Sequence, residues 1–320
     1  MKSSKLRSYL PYVFLMTALT VFIVYLCRNA DRYRQLLDLS TGSLFLLVGL
    51  ALVFSFGKGL TNRLFYSGLG VPLTLNEGLG LAAVTTLANH LPFSGGLIAK
   101  GAYLKQRHKL GYTRFLSATL ALYVCSLAVN GVLGLAVMAY WKLASNTAVP
   151  SVLVLGFSAM AASFLLLILP WEAIDPVSGK LARRVTQLVD GWQVLSKNWV
   201  LFGKLIGIQI GMVLVFAGRF WLAFHALSQD VTLAQCVLFS LGNVLTTLVT
   251  ITPGGLGVRE GIVAGVASLL GFEAGVSAVA VGIDRLVATS VVIVLGTIYT
   301  YVLSKKATDG EPADAVSVGE

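Results

Sequence analysis

Charge is what this chain has least of. Lysine, arginine, aspartate and glutamate make up 12% of its 320 residues, about half the share found in a soluble domain, which is too little to clothe a globular surface in water. Histidine and cysteine are scarce as well. The three histidines, His90, His108 and His225, form no HExxH pattern, and Cys27, Cys125 and Cys236 show no CxxC spacing. With no GxSxG and no aspartate-rich motif either, the constellations that carry metal, redox or acyl-transfer chemistry are missing. The cysteines read as structural, and no catalytic residue, metal or cofactor is expected.

What the chain has in abundance is apolar length. Hydrophobic residues are 56% of the sequence and the mean hydropathy is +0.82, so the fold class expected is an all-α, polytopic integral membrane protein. The net charge of +10 comes from short Lys/Arg clusters between apolar runs, the pattern that orients helices in a bilayer rather than one that binds nucleic acid.

A span needs about 20 apolar residues, and six stretches are read as crossings: 9–27, 43–57 with its boundary set by the glycines that follow, 113–141, 152–169, 200–227 and 276–303. The first follows Lys2, Lys5 and Arg7 and reads as a retained anchor. The second is expected to end at Gly57-Lys58-Gly59, with Lys58 and Arg63 as snorkelling anchors. The stretch 172–198 reads as an amphipathic surface helix or a solvated connector, and 305–320 as a disordered acidic tail. One transmembrane domain, 1–304, with both termini cytoplasmic, accounts for the charges.

Two apolar runs are broken by proline and glycine, and the first of them, 79–91, is also too short to span. Run 79–91 meets Pro92-Phe93-Ser94-Gly95-Gly96 and resumes over 97–104, and run 233–252 meets Pro253-Gly254-Gly255-Leu256-Gly257 and resumes over 258–270. Proline removes a backbone donor, and glycine is a poor helix former. Unpaired backbone in hydrocarbon is costly enough that such breaks survive only inside protein or against water. Each run therefore reads as a re-entrant hairpin, although a plain surface loop is the alternative at the second break. Cations flank the first hairpin and not the second, which places the two on opposite faces. Their resemblance extends to Phe115-Leu116-Ser117-Ala118 against Gly275-Val276-Ser277-Ala278 and the turn-like Gly134 against Gly296, at an offset of 160 to 162 residues. Two inverted halves, about 43–141 and 200–303, are expected.

These motifs carry a family resemblance. Pro253-Gly254-Gly255-Leu256-Gly257-Val258-Arg259-Glu260 resembles the signature of the transmembrane flippase region of lysylphosphatidylglycerol synthases and their stand-alone relatives, and the likeness runs from about residue 45 to 301. The first-half counterpart, Asn89-His90-Leu91-Pro92 with Gly95, Gly96 and Lys100, departs from the family's Gly-Glu pattern by having Leu97 after Gly96. The resemblance implies a lipid translocator of a bacterial or archaeal cytoplasmic membrane. No aminoacyl-transferase domain lies within these residues, so lysyl transfer is not implied.

Charge in hydrocarbon costs about 2.5–3.5 kcal/mol per residue on insertion scales, so Asp284 and Arg285 inside the last span must be paired or wet. Sequence adjacency suggests Arg285 with Glu260, or Asp284 with Arg259. Arg219, close to Trp221 and His225, reads as snorkelling to the outer interface, and Asn130 and Asn243 as amides that tie helices together. The binding set expected is Arg259, Glu260, Gly254, Gly255 and Gly257 at the second break, Lys100, Gly95, Gly96 and Asn89 at the first, and Asp284, Arg285 and Arg219 on spanning helices, with Pro92 and Pro253 as the breaks. The function expected is movement of an anionic phospholipid or lipid-linked headgroup between leaflets. An ion-coupled carrier of a small solute and a membrane enzyme acting on a lipid phosphate are the alternatives. The partners are the bilayer and its anionic lipid, not nucleic acid, with a homodimer left open.

Overall fold

The computed structural model describes residues 40–90, 95–145, 149–168, 198–247 and 257–308, and every regular element among them is helical. In chain order these are α1 Thr41–Gly68, α2 Leu75–Ala88, α3 Gly95–His108, α4 Tyr112–Ser145, α5 Ser151–Ile168, α6 Trp199–His225, α7 Leu233–Gly242 followed by a 3-10 turn Asn243–Thr247, α8 Val258–Leu269 and α9 Ala274–Thr308. Four of them, α1, α4, α6 and α9, are long and apolar enough to cross a membrane. Apolar side chains cover their outer faces, with Phe45 on α1 and Tyr301 on α9 each more than two-thirds exposed. This is a polytopic membrane protein, as its composition requires.

Several boundaries differ from expectation. Helix α1 does not stop at Gly57-Lys58-Gly59 but runs on through Arg63 to Gly68, so Lys58 sits well inside a helix instead of at its end. Helix α5 forms over 18 residues. Helix α9 carries Lys305 and Lys306 within it and continues to Thr308, so the first residues assigned to a disordered tail are helical. The anchor at 9–27, the segment 172–197, the tail beyond Thr308 and both proline breaks, with Pro92, Pro253, Gly254 and Gly255, lie outside the described residues. Gly134 and Gly296 are not turns. Each lies inside a long helix where a neighbour presses close, Phe157 against Gly134 and Leu87 against Gly296.

The chain orders itself twice as long helix, two short helices, long helix: α1 to α4, then α6 to α9. Helix α2 has 14 residues and α7 has 10, and at about 1.5 Å per residue neither reaches across a hydrocarbon core of about 30 Å. Both start on a capping box, which satisfies two of the free N–H groups at a helix start. In α2 the Thr74 hydroxyl accepts from Glu77 N–H while Glu77 Oε2 accepts from Thr74 N–H, at 3.2 and 3.1 Å. In α7 Gln235 Oε1 accepts from Thr232 N–H at 2.8 Å. Both also end on an asparagine, Asn89 and Asn243. Long helices pack across the two halves, with α9 against α2, α4 against α7 and α1 against α6.

The buried apolar residues divide into two clusters. One gathers Phe65 and Tyr66 of α1, Leu81 of α2, Leu104 of α3, Phe115 of α4, Leu201 of α6 and Leu303 of α9. The other gathers Leu47 of α1, Met138 of α4, Phe216 and Phe224 of α6, Phe239 of α7, Val263 of α8 and Val281 of α9. Every long helix thus runs from one cluster to the other, while α2 and α3 belong to the first and α7 and α8 to the second. The cations Arg63, Lys105, Arg107, Arg114, Lys204, Lys305 and Lys306 all lie on helix segments at the end of the first cluster. There Glu77 also accepts from Tyr103 Oη at 3.0 Å and stands 3.6 Å from His108 Nε2, which joins α2 to α3.

Helices α4 and α5 cross at their closest point on Gly131, where an added Cβ would lie 2.2 Å from the Ala161 backbone nitrogen. Backbone cannot move aside as a side chain can. Gly131→Val is therefore expected to cost about 1–3 kcal/mol or more through overpacking, seen as a lower Tm of the detergent-purified protein; an unchanged Tm would mean the helices are not in contact there.

Candidate functional site

Between the two apolar clusters lies a cavity of about 390 Å³, within the range of small-ligand sites. Its wall is built from residues at helical spacing on four helices and from both hairpins. Helix α1 supplies Ala51, Phe54, Ser55 and Lys58, and α6 supplies Gln209, Met212, Phe216 and Arg219. Helix α9 supplies Arg285, Ala288, Thr289 and Val292, and α4 supplies Tyr123 and Ser126. The C-terminal end of α2 adds Thr86, Asn89 and His90, and the second hairpin adds Ser240, Asn243, Thr246 and Arg259. Among the described residues no aspartate or glutamate is in the wall.

Behind this wall two carboxylates hold three arginines. Asp284, only 1% exposed, accepts from Arg219 Nε through Oδ1 at 2.7 Å and from Arg259 Nη2 through Oδ2 at 2.5 Å. Arg285 Nη1 donates to Glu260 Oε1 at 2.8 Å. Both pairings expected from adjacency, Arg259 with Asp284 and Arg285 with Glu260, are present together. Arg219 is a correction. It is 3% exposed and bound to Asp284, so it does not snorkel to an interface; a guanidinium with a buried carboxylate within reach gains more there than by extending to water.

Aromatic rings brace these cations. Phe54, Phe216 and Phe220 stack in sequence with centroids 5.4 and 4.8 Å apart. Arg219 Cζ lies 4.9 Å and Arg259 Cζ 5.0 Å from the Phe216 centroid, and Lys58 Nζ lies 5.1 Å from that of Phe54. A ring face offers partial negative charge where water is excluded.

Glu260 serves twice. Its Oε2 accepts from Gly257 N–H at 2.9 Å, the glutamate half of a capping box at the start of α8, while Oε1 takes Arg285. Gly257 holds φ +80° at this N-cap, a conformation that a side chain would strain. Both oxygens of Glu260 are thus engaged within the protein, one by the backbone and one by Arg285.

The first hairpin contributes less than its sequence suggests. Lys100 Nζ donates to Asn62 Oδ1 at 2.7 Å and sits over the Tyr66 ring, outside the cavity wall. Gly96 packs against the end of α2, its N–H donating to Asn89 Oδ1 at 3.2 Å, and Gly95 starts α3 beside it. Of the expected set, Arg259, Arg285, Arg219 and Asn89 meet at the cavity, Asp284 and Glu260 support them, and Lys100, Gly95, Gly96 and Gly257 stand apart. His90 Nδ1 donates to the Thr86 carbonyl at 3.0 Å, because a carbonyl can only accept. Asn130 ties α4 to α6 as expected, accepting from Gln209 Nε2 at 3.4 Å, whereas Asn243 lines the cavity with its Oδ1 buried and unbonded.

Lys58, Ser55, Thr86, Ser126, Gln209, Ser240 and Thr289 were not expected in the site. Their signal was present: Ser55 and Lys58 of α1, or Arg285 and Thr289 of α9, recur three or four residues apart on otherwise apolar helices, which puts them on one face. Among the described residues no group of three histidine, cysteine, aspartate or glutamate side chains stands close enough to hold a metal ion.

The family model described as the lysylphosphatidylglycerol synthase TM region matches residues 12–296 of the chain. No curated protein and no solved structure matches it.

Proposed function

Because the chain belongs to the lysylphosphatidylglycerol synthase transmembrane region family, we propose that it moves an anionic lipid between leaflets by passing the headgroup through the central cavity. The observation that carries this reading is the cation-lined, carboxylate-free cavity wall where both hairpins meet. A volume of about 390 Å³ accommodates a phosphate headgroup but not two acyl chains, so the chains stay in the bilayer. Arg259, at the start of α8 where free N–H groups carry partial positive charge, is the phosphate contact.

The two halves act as inverted re-entrant units. Short helices that end mid-protein, each packed in a different apolar cluster, are what opposite insertion would produce. The cation-rich end of the bundle is then cytoplasmic by the positive-inside rule, in a bacterial or archaeal cytoplasmic membrane, and the chain works as a transporter and not as an enzyme.

The test is transfer of fluorescent phosphatidylglycerol across liposomes carrying the purified protein. A charge-assisted contact is worth about 1.5–3 kcal/mol, so Arg259→Ala is expected to slow transfer roughly 10- to 100-fold. Transfer at the wild-type rate by this variant would remove Arg259 from the route. Saturation by a soluble anion with no lipid transfer would favour a solute carrier.

A further inference from the structure

Around the cavity stand four cations, Lys58, Arg219, Arg259 and Arg285, and two carboxylates, Asp284 and Glu260. The count leaves an excess of two positive charges. Each arginine has a carboxylate partner. Lys58 has neither hydrogen bond nor ion pair among the described residues and rests on Phe54, whose ring also carries Arg219, at 5.1 and 5.6 Å from its centroid. Arg259 Nε is likewise buried with no acceptor among the described residues. Free donors from an ammonium and a guanidinium therefore converge on the same aromatic brace.

We propose that Lys58 sets the charge selectivity of the cavity, and that the headgroup it favours ends in a phosphate monoester and not a phosphodiester. This rests on the lipid-headgroup reading above and narrows its substrate class. A monoester carries about −1.5 to −2 charge at neutral pH and three strong acceptor oxygens, which offsets the excess charge and offers an oxygen to each unsatisfied donor. A diester carries one negative charge and presents two unbridged oxygens, so one cation stays uncompensated. In a site with little water that mismatch is weakly screened. The charge of Lys58 is the difference between the two cases.

The same geometry predicts a stability effect of opposite sign to that of an ordinary truncation. Lys58 is an unpaired cation inside the protein, so Lys58→Met, which keeps the chain length and removes the charge, relieves desolvation and is expected to raise the Tm of the ligand-free protein.

The experiment measures binding of phosphatidate, phosphatidylglycerol with matched acyl chains, and glycerol 3-phosphate to the full chain in nanodiscs, for wild type, Lys58→Met and Lys58→Arg. Wild type is expected to bind phosphatidate at least about tenfold more tightly than phosphatidylglycerol, a gap of one full charge contact. Lys58→Met should erase that ratio and Lys58→Arg should keep it. No preference in the wild type, or a preference that survives in Lys58→Met, overturns the proposal, and phosphatidylglycerol transfer in liposomes then shows whether the translocator reading stands without it. Glycerol 3-phosphate binding as tightly as phosphatidate would uphold the monoester preference while removing the lipid from it.

Discussion

Asp284→Asn is expected to lower the stability of the protein by about 3–5 kcal/mol, the cost of breaking a buried ion pair from one side. Asp284 is shared by Arg219 and Arg259 through its two oxygens, so its neutralisation leaves two guanidinium groups beside Phe216 with no counter-charge between them. For a chain of this size the loss corresponds to a fall in Tm of roughly 4–8 °C, read by thermal unfolding in detergent. The double variant Arg219→Met with Asp284→Asn removes one of the stranded charges. It should be less destabilised than the two single changes added together, with a coupling of about 0.5–3 kcal/mol. Strict additivity would mean that the carboxylate and Arg219 do not interact.

The second large effect is at Phe216. Its ring stacks on Phe54 and Phe220 and lies under both arginines of the triad, so Phe216→Ala removes a buried aromatic and the brace together. Large-to-small substitution of this kind costs about 3–5 kcal/mol. Phe216→Leu retains most of the apolar volume and loses only the ring face, so it should cost about 1 kcal/mol, in the range of a surface-to-partly-buried cation–π contact. If alanine and leucine melt at the same temperature, the ring is not supporting its neighbours through packing.

How far these groups were legible in the sequence depends on how far apart their partners lie along the chain. Arg259 and Glu260 precede Asp284 and Arg285 by one short helix and a turn, and the rule that charge in hydrocarbon must be paired was enough to find both bonds. Arg219 failed the same treatment because its partner is 65 residues away, and locally it resembles an interfacial residue, with Trp221 and His225 on the next turn. Lys58 was hidden by its flanking glycines. They look like the end of a span, yet α1 passes through them, and an internal lysine then faces the cavity instead of the headgroups. Lys100 misled in the other direction: its place after the first break mirrors that of Arg259, but Asn62 on α1 offers a nearer acceptor, a tertiary contact with no local signature. The long helices were readable almost throughout, since apolar length is a local property, whereas the capping boxes at Thr74 and Thr232 that start α2 and α7 went unread. The path of the chain at Pro92 and Pro253 lies outside the described residues.

The double engagement of Glu260 has a mechanical consequence. One carboxylate fastens the start of α8 by its Gly257 N–H and, with its other oxygen, fastens Arg285 in the wall of the cavity. A shift of either anchor is therefore felt by the other: on the proposed route, a headgroup that draws Arg285 inward would loosen the first turn of α8, and unwinding of that turn would break the bond from Arg285 to Glu260. Occupancy of the cavity and the integrity of that first turn would in this way be tied by one side chain.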